Sequence, residues 1–495
     1  MQTVRKSGIL LHISSLPSAF GIGDLGPEAY HLVDNLSKNG LKIWQILPLG
    51  PNGPGNSPYQ AYSAYSGDPI LISPEMLVDW GLLSKDDLSD IPLFNDVSVD
   101  FEKVTEWKTN IFRLAWQNFQ LFADSSFRNE YQAFLNEHGW WLNDYALYAA
   151  CKIEFNGLAW NKWPKNLIER QEDALNYYKL ELNDNFEFER FVQFLFFRQW
   201  FRLKNYANEK GIQIFGDLPL YVSLDSSDVW GNQKIFLLDE NGEPTMVGGV
   251  PPDYFCEDGQ LWGNPVYNWN EIEKSNYQWW IARLYFNFHL FNLVRIDHFR
   301  GLESFWAIPA DSKTAKVGQW LPAKGFNLLN ILQSQLENLP IIAEDLGIIT
   351  PEVEHLRDHF NLPGMKVLQF AFTSDHTNEH LPHNISSKNI VYTGTHDNDT
   401  IIGWWNSISA EEKNLAHTYL NANIGTISER LISYAWASVA EIAILPIQDL
   451  MQLDGSARMN IPGIATGNWS WRYRKNQLKK NHWEFIKQLN IIYNR

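Results

Sequence analysis

Eight short apolar runs recur along the chain, and helical spacing fills most of the intervals between them. The runs are Gly8–Ile13, Lys42–Leu47, Gln213–Leu218, Asn292–Ile296, Pro340–Ala343, Met365–Phe372, Asn389–Thr393 and Ile442–Ile447. Their length and β-branched content predict buried strands. Phe188, Phe191, Val192, Leu195 and Gln199 follow helical spacing, with Gly211 standing where a C-cap belongs. Pro27 opens a helix over Glu28–Leu36 that Gly40 closes, and Thr350-Pro351-Glu352 opens another over Val353–His359. Strand–helix alternation repeated eight times predicts an α/β fold, a (β/α)8 TIM barrel.

The repeat is uneven. A βαβ unit needs roughly 30 residues, which suits the first interval but not the second. The excess from about residue 51 to 185, with Trp- and Tyr-rich helical stretches such as Trp140–Ala150, reads as a mostly helical insertion after the second strand. A Gly- and Pro-rich excess over 221–277 reads as a second insertion after the third strand. Both fall on the barrel's catalytic rim. The 495 residues would suggest about three domains by length alone, but this pattern predicts one barrel over 1–495 with large insertions.

Composition narrows the partners. A formal charge of −17 argues against nucleic acid and against an anionic membrane surface. No run is long enough to span a bilayer, and the N-terminus has no signal-peptide layout. Only Cys151 and Cys256 are present, which points to a reducing cytoplasm. The 22 tryptophans exceed what a core readily hides and suggest aromatic platforms for flat sugar faces.

Three of the runs end in carboxylates: Arg295-Ile296-Asp297-His298, Ala343-Glu344-Asp345, and His396-Asp397-Asn398-Asp399. In a parallel barrel such strand tips converge on one rim. If Ile296 faces outward, Arg295 and Asp297 face the axis together, and the cation holds Asp297 ionised as a competent nucleophile. Glu344 follows Ile341-Ile342-Ala343, an apolar setting that raises its pKa and suits a general acid. Asp397 and His396 are candidates for gripping hydroxyls, while Asp345 and Asp399 read as turn or cap residues. Two carboxylates flanking a bond is the arrangement for glycoside cleavage, about 5–5.5 Å apart in retaining enzymes. A binuclear metal site can be drawn from His298, His396 and their acidic neighbours, but adjacent strand residues face opposite sides and no H-x-H or H-E-x-x-H pair exists, so neither metal nor cofactor is expected. Gly21-Ile22-Gly23-Asp24-Leu25-Gly26 matches a dinucleotide fingerprint only superficially, because Ser14–Phe20 separate it from its strand.

The chain also resembles the 4-α-glucanotransferases (amylomaltases, disproportionating enzymes) of the α-amylase clan, nearly end to end. The likeness is carried by Ser7–His12, Gly21–Gly26, Asn56-Ser57-Pro58-Tyr59-Gln60 with Ser63-Ala64, Gly216-Asp217-Leu218-Pro219, Gly249–Phe255, Gly259–Pro265, Arg295–Gly301, Ala343–Gly347, Thr393–Thr400, Ala457–Asn460 and Gly467-Asn468-Trp469. It implies Asp297 as nucleophile, Glu344 as acid/base and Asp397, with His396, as a grip on the sugar. It further implies that Arg295 orients Asp297 and that Tyr59 stacks on the sugar. A mobile rim loop over Gly248–Trp262 would bring Asp253, Glu257 and Trp262 to the glucan, and Asn468 would line the cleft. The implied partners are maltooligosaccharides and starch- or glycogen-type α-glucans. The chain departs from the family at Leu321–Gly325, where a Gly-Pro-Gly turn is common, and at Gly248, where Ala is usual and Gly is expected to loosen the loop. Hydrolysis of α-1,4-glucans is the alternative reaction; a noncatalytic glucan-binding protein would need the aromatics but not the Asp297–Glu344 pair.

Overall fold

The computed structural model describes residues 5–252, 257–422 and 425–495. Eight parallel strands form the barrel: β1 (Lys6–Leu10), β2 (Ile43–Gln45), β3 (Gln213–Pro219), β4 (Leu293–Asp297), β5 (Ile341–Ala343), β6 (Met365–Val367), β7 (Ile390–Tyr392) and β8 (Ile442–Pro446). They pair in the order β6-β7-β8-β1-β2-β3-β4-β5. All eight predicted strands are present, several trimmed: Leu368–Phe370, expected to extend β6, is a 3-10 turn, as is Ile13–Ser15 beyond β1. The predicted helices run over Pro27–Lys38, Asn183–Glu209 and Pro351–His359. Gly40 and Gly211 adopt the positive φ, +82° and +75°, that helix-terminating glycines allow.

Side-chain parity explains why polar groups gather at one end of this barrel. Ile43, Phe215, Ile342, Ile390 and Tyr392 fill the barrel axis. Their neighbours Trp44, Ile214, Val294, Ile296, Ile341, Ala343 and Val391 pack outward in the larger core shared with the helices. Alternation then puts Asp217, Arg295, Asp297 and Glu344 on the inward parity.

Among the described residues β5 and β6 form no ladder, and the seam is bridged instead by single bonds. The Ala343 amide donates to Pro363 O at 2.9 Å, and the Met365 amide donates to Asp345 Oδ1 at 2.6 Å. Asp345 is buried and also binds Arg357 Nη1 at 2.6 Å. A Cβ on Gly364 would lie 2.2 Å from Asp345 Oδ2, so only glycine lets the carboxylate reach the seam. Asp345→Ala strands a buried amide and a guanidinium, and is expected to cost about 3–5 kcal/mol. An unchanged denaturation midpoint would rule out this seam role.

Residues 46–212, between β2 and β3, hold the long helices Phe101–Phe122 and Ser125–Glu154. After β3 comes part of an antiparallel four-stranded sheet in the order Gln260–Pro265, Met246–Val250, Ser304–Pro309, Gln319–Pro322. Its last two strands follow β4, so this rim sheet is stitched from two loops. The expected loosening at Gly248 is corrected here: Gly248 lies within a strand, paired with Ala307. No helix among the described residues is long and apolar enough to cross a membrane.

Candidate active site

Arg295 is the hub of the barrel mouth. Its Nε and Nη2 donate to Asp217 Oδ1 and Oδ2 at 3.0 and 2.7 Å, a bidentate pair buried from solvent. Nη2 also meets Asp297 Oδ1 at 2.9 Å and the Tyr59 hydroxyl at 3.2 Å. Tyr59 in turn donates to Asp217 Oδ2 at 2.7 Å. One cation therefore serves two carboxylates. Arg295 was expected to hold Asp297 ionised, and it does oppose protonation, but it shares its charge with Asp217. Burial at the cleft floor raises the Asp297 pKa to about 6, Arg295 opposing while Asp217 and Asp397 add to the rise. At neutral pH the group is still mostly ionised, and its side chain is 31% exposed, open toward the cleft.

Glu344 stands beside it. His298, the residue after Asp297, adopts φ +54°, which turns its amide to donate to Glu344 Oε2 at 2.7 Å. The Leu346 amide donates to Oε1 at 2.9 Å. Those two donors favour the carboxylate. Burial first, and then the charge of Asp297, outweigh them and push Glu344 up to about 8. Two acids one hydrogen-bonded residue apart thus hold their protons unequally, the condition for pairing an anion with a proton donor.

The third acid is held differently. Asp397 Oδ1 accepts from Asn460 Nδ2 at 2.6 Å, and Oδ2 lies 3.3 Å from His396 Nε2. Burial alone would raise its pKa, but His396 and Asn460 hold it well below the usual carboxylate range. Its side chain is 45% exposed and free to accept from a ligand. Arg458 Nη2 donates to the Asp397 carbonyl at 2.5 Å and fixes the loop. His396, Tyr59 and Trp469 form a three-ring cluster: Tyr59 stacks on His396 at 5.2 Å, and Trp469 lies 5.7 Å from Tyr59.

The remaining candidates lie at the edges of this arrangement or apart from it. Trp262 meets the His298 ring edge-on at 4.8 Å, next to the carboxylate pair. Glu257 is 96% exposed and lies 3.8 Å from Lys316 Nζ. Asn468 spends its amide on its own loop, accepting from the Ile461 amide at 3.0 Å and donating to Ile464 O at 2.7 Å. Asp253 lies outside the described residues. Asp217, Asn460, Arg458 and Trp469 were not singled out as site residues from the sequence, and His298 was weighed there only as a metal ligand. Asp217 was findable, since it lies near the end of β3 on the same parity that marked the other strand-tip acids. Asn460 and Trp469 sit in blocks that carry the family resemblance, but strand parity gives no signal for them, because a loop brings them in. No group of three or more His, Cys, Asp or Glu side chains among the described residues is arranged to hold a metal ion.

A parallel barrel with two unlike carboxylates and a third, half-exposed one at its C-terminal mouth has the makings of an enzyme of glycosidic bonds. A family model for 4-alpha-glucanotransferase matches residues 11–478. The 4-alpha-glucanotransferase of Synechocystis sp. is 48% identical over 493 residues, covering 98% of this chain and 97% of that one. That of Thermus thermophilus is 45% identical, covering 97% of each. The amylomaltase from Streptococcus agalactiae in complex with acarbose superposes with a TM-score of 0.96 at 40% identity, covering 99% of both chains. The chain belongs to the 4-alpha-glucanotransferase family. It is a glycosyltransferase that acts on α-1,4-glucans.

Proposed function

We propose that this chain transfers glucan segments by a double displacement with Asp297 as nucleophile and Glu344 as acid/base. One observation carries the reading: the amide of His298, the residue after Asp297, holds Glu344 at 2.7 Å, so an Arg295-paired carboxylate and a buried, more readily protonated one stand side by side at the barrel mouth. In the first step an Asp297 carboxylate oxygen attacks C1 of the donor sugar. The bond from C1 to the bridging oxygen breaks, and that oxygen takes the Glu344 proton and leaves as a 4-hydroxyl. Glu344, now a carboxylate, removes the proton from an incoming 4-hydroxyl. The acceptor oxygen attacks C1, the ester to Asp297 breaks, and the α configuration is restored.

Arg295 fixes the direction of Asp297 and keeps its anion available. Asp397 and His396 accept and donate to hydroxyls of the donor sugar, favouring its distorted, transition-state-like ring. Tyr59, with one face already on His396, offers its ring to the same sugar. Trp262 walls the side from which Glu344 acts, and Glu257, Asp253 and Asn468 reach the glucan farther out. Residues 51–185 and 221–277 act as the walls of one cleft in a single catalytic unit, the second carrying the mobile loop. The natural partners in this reading are maltooligosaccharides and starch- or glycogen-type glucans, and the compartment is the cytoplasm.

Incubation with maltotriose tests the outcome of the second step. Glucose together with a chromatographic ladder of products longer than the substrate is expected. Glucose and maltose without longer chains would make water the acceptor and the enzyme a hydrolase.

A further inference from the structure

A small cavity lies beside His396, where β1, β2 and β8 end. Leu10, Leu47 and Pro446 form its apolar wall, and His12, His396 and Gln448 are in its polar lining. About 20 Å³ of it is open to the centre of a water molecule, enough for one. His12, His396 and Gln448 are only 9%, 7% and 8% exposed. Ser15 and Thr395 also reach the cavity, but both hydroxyls are committed. Ser15 Oγ donates to Trp471 O at 2.8 Å, and Thr395 Oγ1 donates to Asn398 Oδ1 at 2.9 Å. His12 is left over. Its Nδ1 is buried and has no hydrogen-bond partner among the described residues. Burial, with His396 adding, lowers the His12 pKa to about 3, so this imidazole is neutral and has a nitrogen free to accept.

His396 needs more than its aromatic neighbours give it. Tyr59 stacks on it with the planes 18° apart, and Trp469 lies 5.9 Å away. Stacking fixes the plane of an imidazole but not which edge faces which way. A half-turn about χ2 keeps the plane and exchanges nitrogens for carbons, so only hydrogen bonds at the ring edges make that choice. At one edge Nε2 has Asp397 Oδ2 at 3.3 Å, a carboxylate that is 45% exposed and open to a ligand. A partner at the opposite edge would hold the ring when that carboxylate turns to a sugar.

We infer that this cavity is a site for one ordered water that bridges His12 to His396, and that His12 is a positioning residue for the grip on the donor sugar. The inference rests on Asp397 and His396 holding that sugar. With its proton on Nε2, toward Asp397, neutral His396 has Nδ1 to accept from the water. His12 Nδ1 and the Gln448 carboxamide supply the water's other partners, which meets the two to four that a buried water needs. The bridge keeps Nε2 aimed at Asp397 and the sugar. The donor sugar is held through both displacement steps, so the bridge serves both.

His12→Leu is expected to lower kcat roughly tenfold on maltotriose and on α-maltosyl fluoride alike, with KM within about twofold. His12→Asn, whose amide puts a polar atom where Nδ1 stands, is expected to stay within about threefold of wild type on both. A packing role for His12 predicts the reverse order, with Leu tolerated and Asn not. In crystals of the wild-type protein, density for one water is expected within hydrogen-bond distance of His12 Nδ1 and His396 Nδ1. This reading needs no variant to fold. Wild-type kcat in His12→Leu, a loss in His12→Asn as large as that in His12→Leu, or a dry cavity where other ordered waters are seen overturns the inference. The two readings fail separately. If Asp397 and His396 do not hold the sugar, Asp397→Asn keeps its activity. If only the water bridge fails, Asp397→Asn is inactive and His12→Leu matches wild type.

Discussion

Asp297→Asn is expected to abolish glucan transfer, by roughly 10⁴-fold or more in kcat, while leaving glucan binding intact. The substitution keeps shape and volume and removes only the nucleophilic anion. The frame around it does not depend on that anion. Arg295 keeps its bidentate partner Asp217 at 3.0 and 2.7 Å, and Tyr59 keeps Asp217 at 2.7 Å. The site therefore stays assembled around a neutral amide that still accepts from Arg295. Calorimetric titration with maltoheptaose, set beside turnover of the same sample, separates the two effects. Residual turnover above about one per cent of wild type would mean that another group attacks C1.

Glu344→Gln is expected to lower transfer from natural glucans by about 10²–10⁴-fold, because a sugar 4-hydroxyl leaves poorly without a proton. Fluoride needs little protonation to leave, so an α-glycosyl fluoride should largely spare the first step. The second step then stalls for lack of a base, and a burst of fluoride equal to the enzyme is the expected signature. The pH profile supplies the sign. Wild-type activity needs Asp297 ionised and Glu344 protonated. It therefore rises with pH as Asp297 loses its proton near 6 and falls as Glu344 loses its proton near 8. These limbs belong to the interacting pair, and the upper one depends on the charge of Asp297 beside Glu344. In Glu344→Gln with a fluoride donor, the alkaline limb should vanish. The acid limb should stay close to its wild-type position, because Glu344 is already protonated and uncharged where Asp297 titrates. An alkaline limb that persists would assign the acid role elsewhere.

The insertion walls were legible only in outline. The sequence marks an excess of residues after β3, but not that Ser304–Pro309 and Gln319–Pro322 complete its sheet, because strands in one sheet need not be neighbours in sequence. Gly248 is a related case. Read along the chain it looked like freedom in a loop; in space it is a strand position under Tyr221. Asn468 closes its own loop, and Trp469 beside it joins the rings of Tyr59 and His396.

By itself the sequence determined the barrel, since eight runs of strand character alternating with helical spacing leave few other ways to bury those runs. Period-two alternation in Arg295-Ile296-Asp297 and Ile341–Glu344 likewise determined that Arg295, Asp297 and Glu344 point inward, because parity within a strand is local. Tertiary structure decided which distant groups adjust how each acid holds its proton. Asp217 reaches Arg295 across 78 residues and weakens the hold of that cation on Asp297. Asn460 reaches Asp397 from 63 residues away and adds to the stronger lowering by the adjacent His396. The His298 amide places Glu344 beside the nucleophile across 46. A pKa depends on every charge, donor and solvent gap within a few ångströms, and those neighbours come from strands and loops that meet only when the barrel closes.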